Sequence, residues 1–337
     1  MAEQSSLTVA VSDGQPDSRI HLSAVLVRSA AGLANHSEPI ALSRKATASQ
    51  ALVVVAISCL RQIAQNETGV REGFGEAVHQ MRIGLRRLRA ALSIFRDAFR
   101  PGAFDALKGE LVWLTEQLTA AREYDVLLGS RRDSEDFTQA AFAGESELAD
   151  VLDSRRQEAF ATARAAVASA RFHRLIVSFT VGLILPADDE DGAGEQLALD
   201  LGRKVLERRT RRLVRRLHRF ARLGVRERHQ LRIEVKKLRY GSEFFASLFP
   251  HANRRRTRFS RALTALQDTL GCLNDTTVHQ RIAAELVDGG TGGTRASRRV
   301  AFAMGGFAQA EKSHTAELLA RIPKLSAQLA RAPRFWR

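Results

Sequence analysis

The sequence predicts an all-α fold built as two helical, four-helix-type bundles related by an internal pseudo-two-fold. Three observations predict it. From Ser43 onward apolar residues recur at intervals of three and four, and no stretch alternates as a half-buried strand does. The segment HQMRIGLRRLR, starting at His79, returns 150 residues later as HQLRIEVKKLR, starting at His229. The register then holds without a gap, so that Gln117 meets Gln267 and Asp125 in REYD meets Asp275 in CLND. Helices rich in Arg and Leu produce accidental look-alikes, but chance matches rarely keep one register over almost fifty residues. The third observation is the break PADDEDGAGE at 186–195, where Pro, Gly and a block of acids separate the two copies.

Taken in order, residues 1–42 carry Ser, Gly, Pro and short apolar pieces without a sustained period, and are expected to form a poorly ordered leader. Residues 43–186 make the first bundle, 187–195 the acidic linker and 196–332 the second bundle. The apolar runs ALVVVAISCL at 51–60 and LIVSFTVGLIL at 175–185 are shorter than the roughly 20 residues that cross a bilayer. The first 18 residues lack the basic segment and apolar run of a secretory signal, so a cytoplasmic protein is expected. Cys59, in the first apolar helix, and Cys272, at an expected helix end, are too few for a disulfide framework or a zinc site and read as small buried hydrophobes. The loop DGGTGGT at 288–294 lacks the Gly-Lys-Ser/Thr ending of a phosphate loop and follows no strand.

Charge narrows the function. Fifty-two Lys and Arg against 37 Asp and Glu leave a formal net charge of +15, which argues for a polyanionic partner and is silent on fold. Lys supplies seven of these cations and Arg the other 45. Biased codon usage accounts for that preference as readily as function does. The functional account is that a guanidinium fork matches two phosphate oxygens at once.

At about 100° per residue, Arg82, Arg86 and Arg89 lie within roughly 80° of His79 and make one cationic stripe. Met81, Leu85, Leu88, Leu92 and Phe95 occupy a separate arc centred about 160° from His79. The second copy repeats this with His229, Arg232, Lys236 and Arg239 on the stripe, and Leu231, Val235, Leu238 and Phe245 behind it. A charged stripe on one helix is ordinarily a solvated face. Here no acid interleaves the cations, so like charges repel without i,i+4 partners to offset them. The stripe also occurs twice, and a pseudo-two-fold would bring both copies to one place. Each histidine has two roles open to it, capping its helix or donating to phosphate once protonated near its ordinary pKa of about 6.5. Neither has a second His or a carboxylate at ligand spacing on its helix, so no metal and no cofactor is expected. A further basic helix at 203–222 sets Leu206, Leu213, Leu217 and Phe220 opposite Arg208, Arg212, Arg215, Arg219 and Arg222.

With the two H-x-[ML]-R-I-x-[LV]-[RK]-[RK]-L-R segments and the ends REYDV and LNDTT in hand, the chain resembles the CHAD family of histidine-bearing α-helical domains over about residues 45–330. The resemblance implies a basic groove or pore between two symmetric bundles that binds inorganic polyphosphate. It implicates His79, Arg82, Arg86, Arg87 and Arg89, and likewise His229, Arg232, Lys236, Lys237 and Arg239. Asp125 and Asp275 match as well, as partners that orient the cations. Many relatives carry an N-terminal CYTH barrel with an E-x-E-x-K motif. That motif is absent, and SEPIALSRKA at 37–46 looks like the join that follows such a barrel, so triphosphatase activity is not carried over.

The expected function is therefore polyphosphate binding, with targeting to polyphosphate granules. Nucleic-acid binding is the alternative, as is an accessory role in phosphate or triphosphate metabolism. The stripes lack the Asn and aromatic residues that read or stack bases. An enzyme is not expected: there is no H-E-x-x-H, no G-x-S-x-G and no Walker motif.

Overall fold

A computed structural model of the chain describes residues 33–96, 105–133, 145–184, 195–289 and 295–337. Most of the expected leader, the linker at 187–194 and most of the loop at 288–294 lie outside the described residues. Eleven α-helices are described: α1 (Ala48–Gln65), α2 (Glu67–Arg71), α3 (Gly75–Ile94), α4 (Asp105–Gln117), α5 (Thr119–Asp133), α6 (Glu145–Ala168), α7 (Ala170–Ile184), α8 (Ala198–Leu217), α9 (Val225–Phe244), α10 (Asn253–Gly289) and α11 (Arg295–Arg331). No strand occurs among the described residues, only an isolated antiparallel bridge between Thr47 and Leu197.

That bridge marks the pseudo-two-fold. The amide of Ala48 donates to the carbonyl of Gln196 at 2.7 Å, and the amide of Ala198 donates to the carbonyl of Ala46 at 2.9 Å. Each partner is the other's counterpart 150 residues away, which is the reciprocity an isologous contact requires. The rings of Phe95 and Phe245, again 150 apart, pack with centroids 5.5 Å from each other. The correspondence reaches past the repeated motif: α1 answers to α8, α3 to α9, α4 with α5 to α10, and α6 with α7 to α11. The halves differ in that the first breaks twice, at Leu118 and Ser169, where the second runs on through two 37-residue helices. At the second break the Ser169 hydroxyl donates to the Ala166 carbonyl at 2.6 Å and accepts from the Phe172 amide at 3.3 Å. Cys272 accordingly lies inside α10 rather than at a helix end, and it is exposed, whereas Cys59 is buried as expected.

Local chemistry sets the starts of these helices. Thr47 and Gln50 form a reciprocal capping box at α1, with Gln50 N–H to Thr47 Oγ1 at 3.3 Å and Thr47 N–H to Gln50 Oε1 at 3.1 Å. Gly73 turns the chain into α3 at φ 80°, a conformation that side chains disfavour. Asp125 packs against the first turn of α3, where a carboxylate suits the helix dipole.

The apolar arcs are buried. Met81, Leu85, Leu88, Leu92 and Phe95 from α3 and Leu231, Val235, Leu238 and Phe245 from α9 and its end are all 2% exposed or less. They belong to one apolar cluster that runs from Leu42 to Trp336, so the two bundles share a core. A smaller cluster joins Leu127, Leu148 and Leu152 of the first half to Ile282, Val300, Ala303 and Met304 of the second. Residues 33–42, read above as the end of a leader, lie against the fold. Asn35 bonds to Asn66 and to the Gln65 carbonyl at 2.9 Å, and the Leu42 amide donates to Ser247 Oγ at 2.9 Å. Sparse periodicity hid this segment because side-chain amides and backbone, rather than a helix face, hold it. Counted with its short continuation to Arg71, α1 is long and apolar enough to cross a bilayer, and half of that window is buried inside the fold.

A shared core has a measurable consequence. The two tryptophans, Trp113 in the first half and Trp336 in the second, are expected to report one urea transition. Phe245→Ala should lower that midpoint for both reporters together, by about 3–5 kcal/mol in stability. Fluorescence of Trp113→Phe and Trp336→Phe variants measures each half separately, and distinct midpoints would show independent domains.

Candidate functional site

Helices α3 and α9 bring their stripes together at the pseudo-axis, and α5 adds a third side. Arg86 stands in the middle: its charge acts on His79, Arg82, Arg122, Arg232 and Lys236. The arrangement is reciprocal, since Arg86 acts on Arg232 as Arg82 acts on Lys236. A long contact, 3.5 Å from Arg86 Nε to the Tyr240 hydroxyl, spans the two halves at this point.

The surrounding structure leaves these cations short of partners. Arg82 is anchored by Nη1, which donates to the Thr115 carbonyl at 3.0 Å and to Thr119 Oγ1 at 2.7 Å. Its Nε is buried without a hydrogen-bond partner among the described residues, and the same holds for Nε of its counterpart Arg232. Leaving a buried donor unmet costs about 1–3 kcal/mol, more when it is charged. Three of the nearby acids are engaged elsewhere, Glu123 by Arg281 at 2.6 Å, Asp125 by Arg156 at 2.7 Å and Glu76 by Gln80 at 2.6 Å, and the fourth, Asp275, acts on Arg122, Arg232 and Lys236 without a close ion pair to any of them. None of His79, Arg82, Arg86, Arg122, Arg232 and Lys236 makes an ion pair with a described residue.

Protonation responds accordingly. Burial, with Arg232, Arg86 and Arg82 close by and Asp275 only partly compensating, pulls the Lys236 ammonium down to about 7. Burial and the charge of Arg122 pull His79 down to about 4, against the opposing pull of Glu76. Without a bound anion this favours the uncharged imidazole of His79 at neutral pH. Burial and Arg86 lower Arg82 to about 10, a large depression for a guanidinium. These are the marks of cations concentrated at a cost in folding stability.

The ten residues read from the sequence thus separate. His79, Arg82, Arg86, Arg232 and Lys236 converge. His229 is exposed near the start of α9. Arg87 does not join them: it is 3% exposed, donates through Nη1 to Gln62 Oε1 at 2.8 Å and stacks 5.7 Å from the Phe244 ring, because it projects toward α1. Arg239 is held by Gln267 Oε1 and Glu243 Oε1, both at 2.7 Å. Arg89 and Lys237 come close to each other beside Arg209 and Arg212 of α8, apart from the central group. Asp275 raises the pKa of Arg232 and Lys236, which suits an orienting acid, whereas Asp125 pairs with Arg156 of α6. Arg122 was not read from the repeat, because its counterpart is Cys272. The arrangement can hold several negatively charged oxygens at once. Among the described residues no group of three or more His, Cys, Asp or Glu could hold a metal ion.

Comparison with known proteins agrees with the all-α fold. The CHAD domain profile matches residues 55–284. The crystal structure of the CHAD domain from the plant Ricinus communis superposes with a TM-score of 0.74 at 30% identity, covering 89% of this chain and 98% of that one. PptA from Streptomyces chartreusis shares the fold, with a TM-score of 0.62 at 16% identity over 83% of this chain and 99% of that one. No curated protein matches the sequence.

The Lys236 environment makes a prediction about stability. The folded pKa, about 7, lies below the ordinary 10.5, so between these values the unfolded chain holds the extra proton and the native state gains stability as pH rises. Below about 7 the penalty is present in full. Lys236→Met, which keeps the volume and removes the cation, should therefore stabilise the protein by about 1–3 kcal/mol at pH 7 and by less at pH 9. Urea midpoints of parent and variant at the two pH values measure this. A destabilised variant at pH 7 would refute the strained-cation account.

Proposed function

The chain belongs to the CHAD family, and from that premise we propose that it binds inorganic polyphosphate between the paired helices α3 and α9, acting as a binding module and not as an enzyme. The observation that carries this reading is the convergence of Arg82, Arg86, Arg122, Arg232 and Lys236 without ion-pair partners, including the equivalent orphan donors of Arg82 and Arg232. A chain of phosphates presents anionic oxygens at short regular intervals along its length. Such a ligand can meet two symmetric stripes in the same way from either side. Phosphate oxygens accept from guanidinium forks, and each contact neutralises charge that the fold otherwise holds at a cost.

The surroundings favour phosphate over bases. Tyr240, whose hydroxyl faces Arg86, is 2% exposed, so its ring offers no face for a nucleobase. Hydrolysis would call for free carboxylates around a metal ion or for a nucleophile with its base. Of the acids nearest the cluster, Glu123, Asp125 and Glu76 are tied to Arg281, Arg156 and Gln80, which leaves Asp275 as a single carboxylate beside Arg232 and Lys236. On this reading the protein acts in the cytoplasm, at polyphosphate granules.

Titration with polyphosphate at two salt concentrations tests the proposal. Affinity should fall steeply with salt, and Arg86→Ala with Lys236→Ala should weaken binding by at least about tenfold while helicity stays unchanged. DNA or RNA should displace labelled polyphosphate poorly. Parent-like affinity in the double variant at physiological salt would refute the assignment, and phosphate release by the pure protein with Mg²⁺ or Mn²⁺ would refute the non-enzymatic reading. Binding should also tighten as pH falls from about 8 toward 6.5, because phosphate favours the charged form of Lys236, whose free pKa is about 7.

A further inference from the structure

The two halves differ in chemistry where α1 and α8 pack on the stripe helices. In the first half this seam is buried: Cys59 and Gln62 of α1 are 0% and 1% exposed, and Arg87 of α3, 3% exposed, reaches across it to Gln62. Gly84 permits the close approach, since a Cβ there would stand 2.8 Å from Ile63 Cγ1 and 3.3 Å from the Cys59 carbonyl. At the four equivalent positions the second half has Arg209, Arg212, Lys237 and Glu234. The seam becomes a charged groove. Glu234 Oε1 forms ion pairs with Arg212, 3.1 Å from its Nε, and with Arg216, 2.9 Å from its Nη1. Arg209 reaches across to the carbonyl and hydroxyl of Ser93, at 3.2 and 3.3 Å, and its Nε is buried without a partner among the described residues. Lys237 lies in the fields of Arg209, Arg89 and Arg212. Five cations thus surround one carboxylate, and two of them, Arg89 and Arg212, are exposed.

This groove continues from the central cluster. On α3, Arg82, Arg86, Arg89 and Ser93 follow one another within a single arc of roughly 60°. Arg86 stands beside Lys236, Arg89 beside Lys237, and Ser93 beneath Arg209. The symmetric path along α9 is closed. Arg239, the counterpart of Arg89, is bound by Gln267 and Glu243, and Glu243 itself stands where α3 has Ser93. One flank of the site is cationic and open, and the other is neutralised by its own acid.

We propose that the groove between α8 and α9, lined by Arg89, Arg209, Arg212 and Lys237, is a second phosphate subsite over which a long polyphosphate chain leaves the central cluster in one direction. The proposal rests on the polyphosphate reading of the centre and adds polarity to it. Short chains occupy the centre alone, and long chains engage both.

Isothermal titration of the full chain with tripolyphosphate and with long-chain polyphosphate separates the two claims. Arg209→Ala with Arg212→Ala should weaken long-chain binding about tenfold at low salt, flatten its salt dependence, and leave tripolyphosphate binding unchanged. Because Arg209 also tethers α8 to Ser93, Arg212→Glu serves as a second variant, an exposed charge reversal that keeps the tether and should show the same selective loss. Arg239→Ala should change neither ligand. Equal losses for both ligands, or no loss for the long chain in either α8 variant, would overturn the subsite. A loss of long-chain binding in Arg239→Ala as large as in the α8 variants would overturn its one-sidedness. The central reading stands or falls separately, on whether the parent binds tripolyphosphate and the Arg86→Ala, Lys236→Ala variant loses it.

Discussion

Everything at the site depends on a self-complementary contact at the pseudo-axis that forces two cationic helices together. The paired backbone bonds of Ala48 with Gln196 and Ala198 with Ala46 fix the two halves at one edge, and the Phe95–Phe245 contact fixes them inside. Coulomb repulsion between the stripes opposes this arrangement, and burial makes the repulsion stronger by removing water. The opposing force is the continuous apolar cluster running through both halves, in which each fully buried Leu or Phe contributes about 1.5–3 kcal/mol. The apolar arcs of α3 and α9 are thus the direct cause of the charge density on their opposite faces.

Lys236 shows how that tension is tuned. An ammonium pulled to about 7 lies on the edge between charged and neutral under ordinary conditions, so the site can relieve part of its repulsion by losing a proton. Its counterpart in the first half is an arginine, Arg86, and guanidinium groups as a class hold their proton far above that pH. The duplicated position therefore holds one fixed charge and one adjustable charge. Replacing Lys by Arg would make the two halves more alike and the empty site less comfortable.

Much of this was legible in the sequence, and the parts that were not share a cause. The 3.6-residue period located the helices, and the unbroken 150-residue register located both stripes and implied their meeting. The same angular reckoning places Arg87 about 80° to the other side of His79 from the stripe, consistent with its burial against Gln62; only family likeness had put it in the site. Arg122 escaped notice because its counterpart is Cys272, so repetition gave it no support, and its position beside Arg86 comes from how α5 crosses α3. Asp125 shows the same limit: its partner Arg156 is 31 residues away on another helix, and no local pattern joins them. The break at Ser169 and its absence in α11 depend on which residue meets which carbonyl, a matter of tertiary packing that period and composition do not encode.

The pair Gly84 and Glu234 carries a further meaning, about ancestry. In a symmetric dimer of identical chains, every mutation is present on both sides of the axis. Glutamate at this position would then splay both seams, and glycine would close both. Joining the halves in one chain lets selection treat them as two genes do, so that one copy keeps the sealed seam that holds the fold while the other is free to acquire charge. The departure from symmetry is therefore what covalent fusion makes available, and no assembly of identical subunits could inherit it.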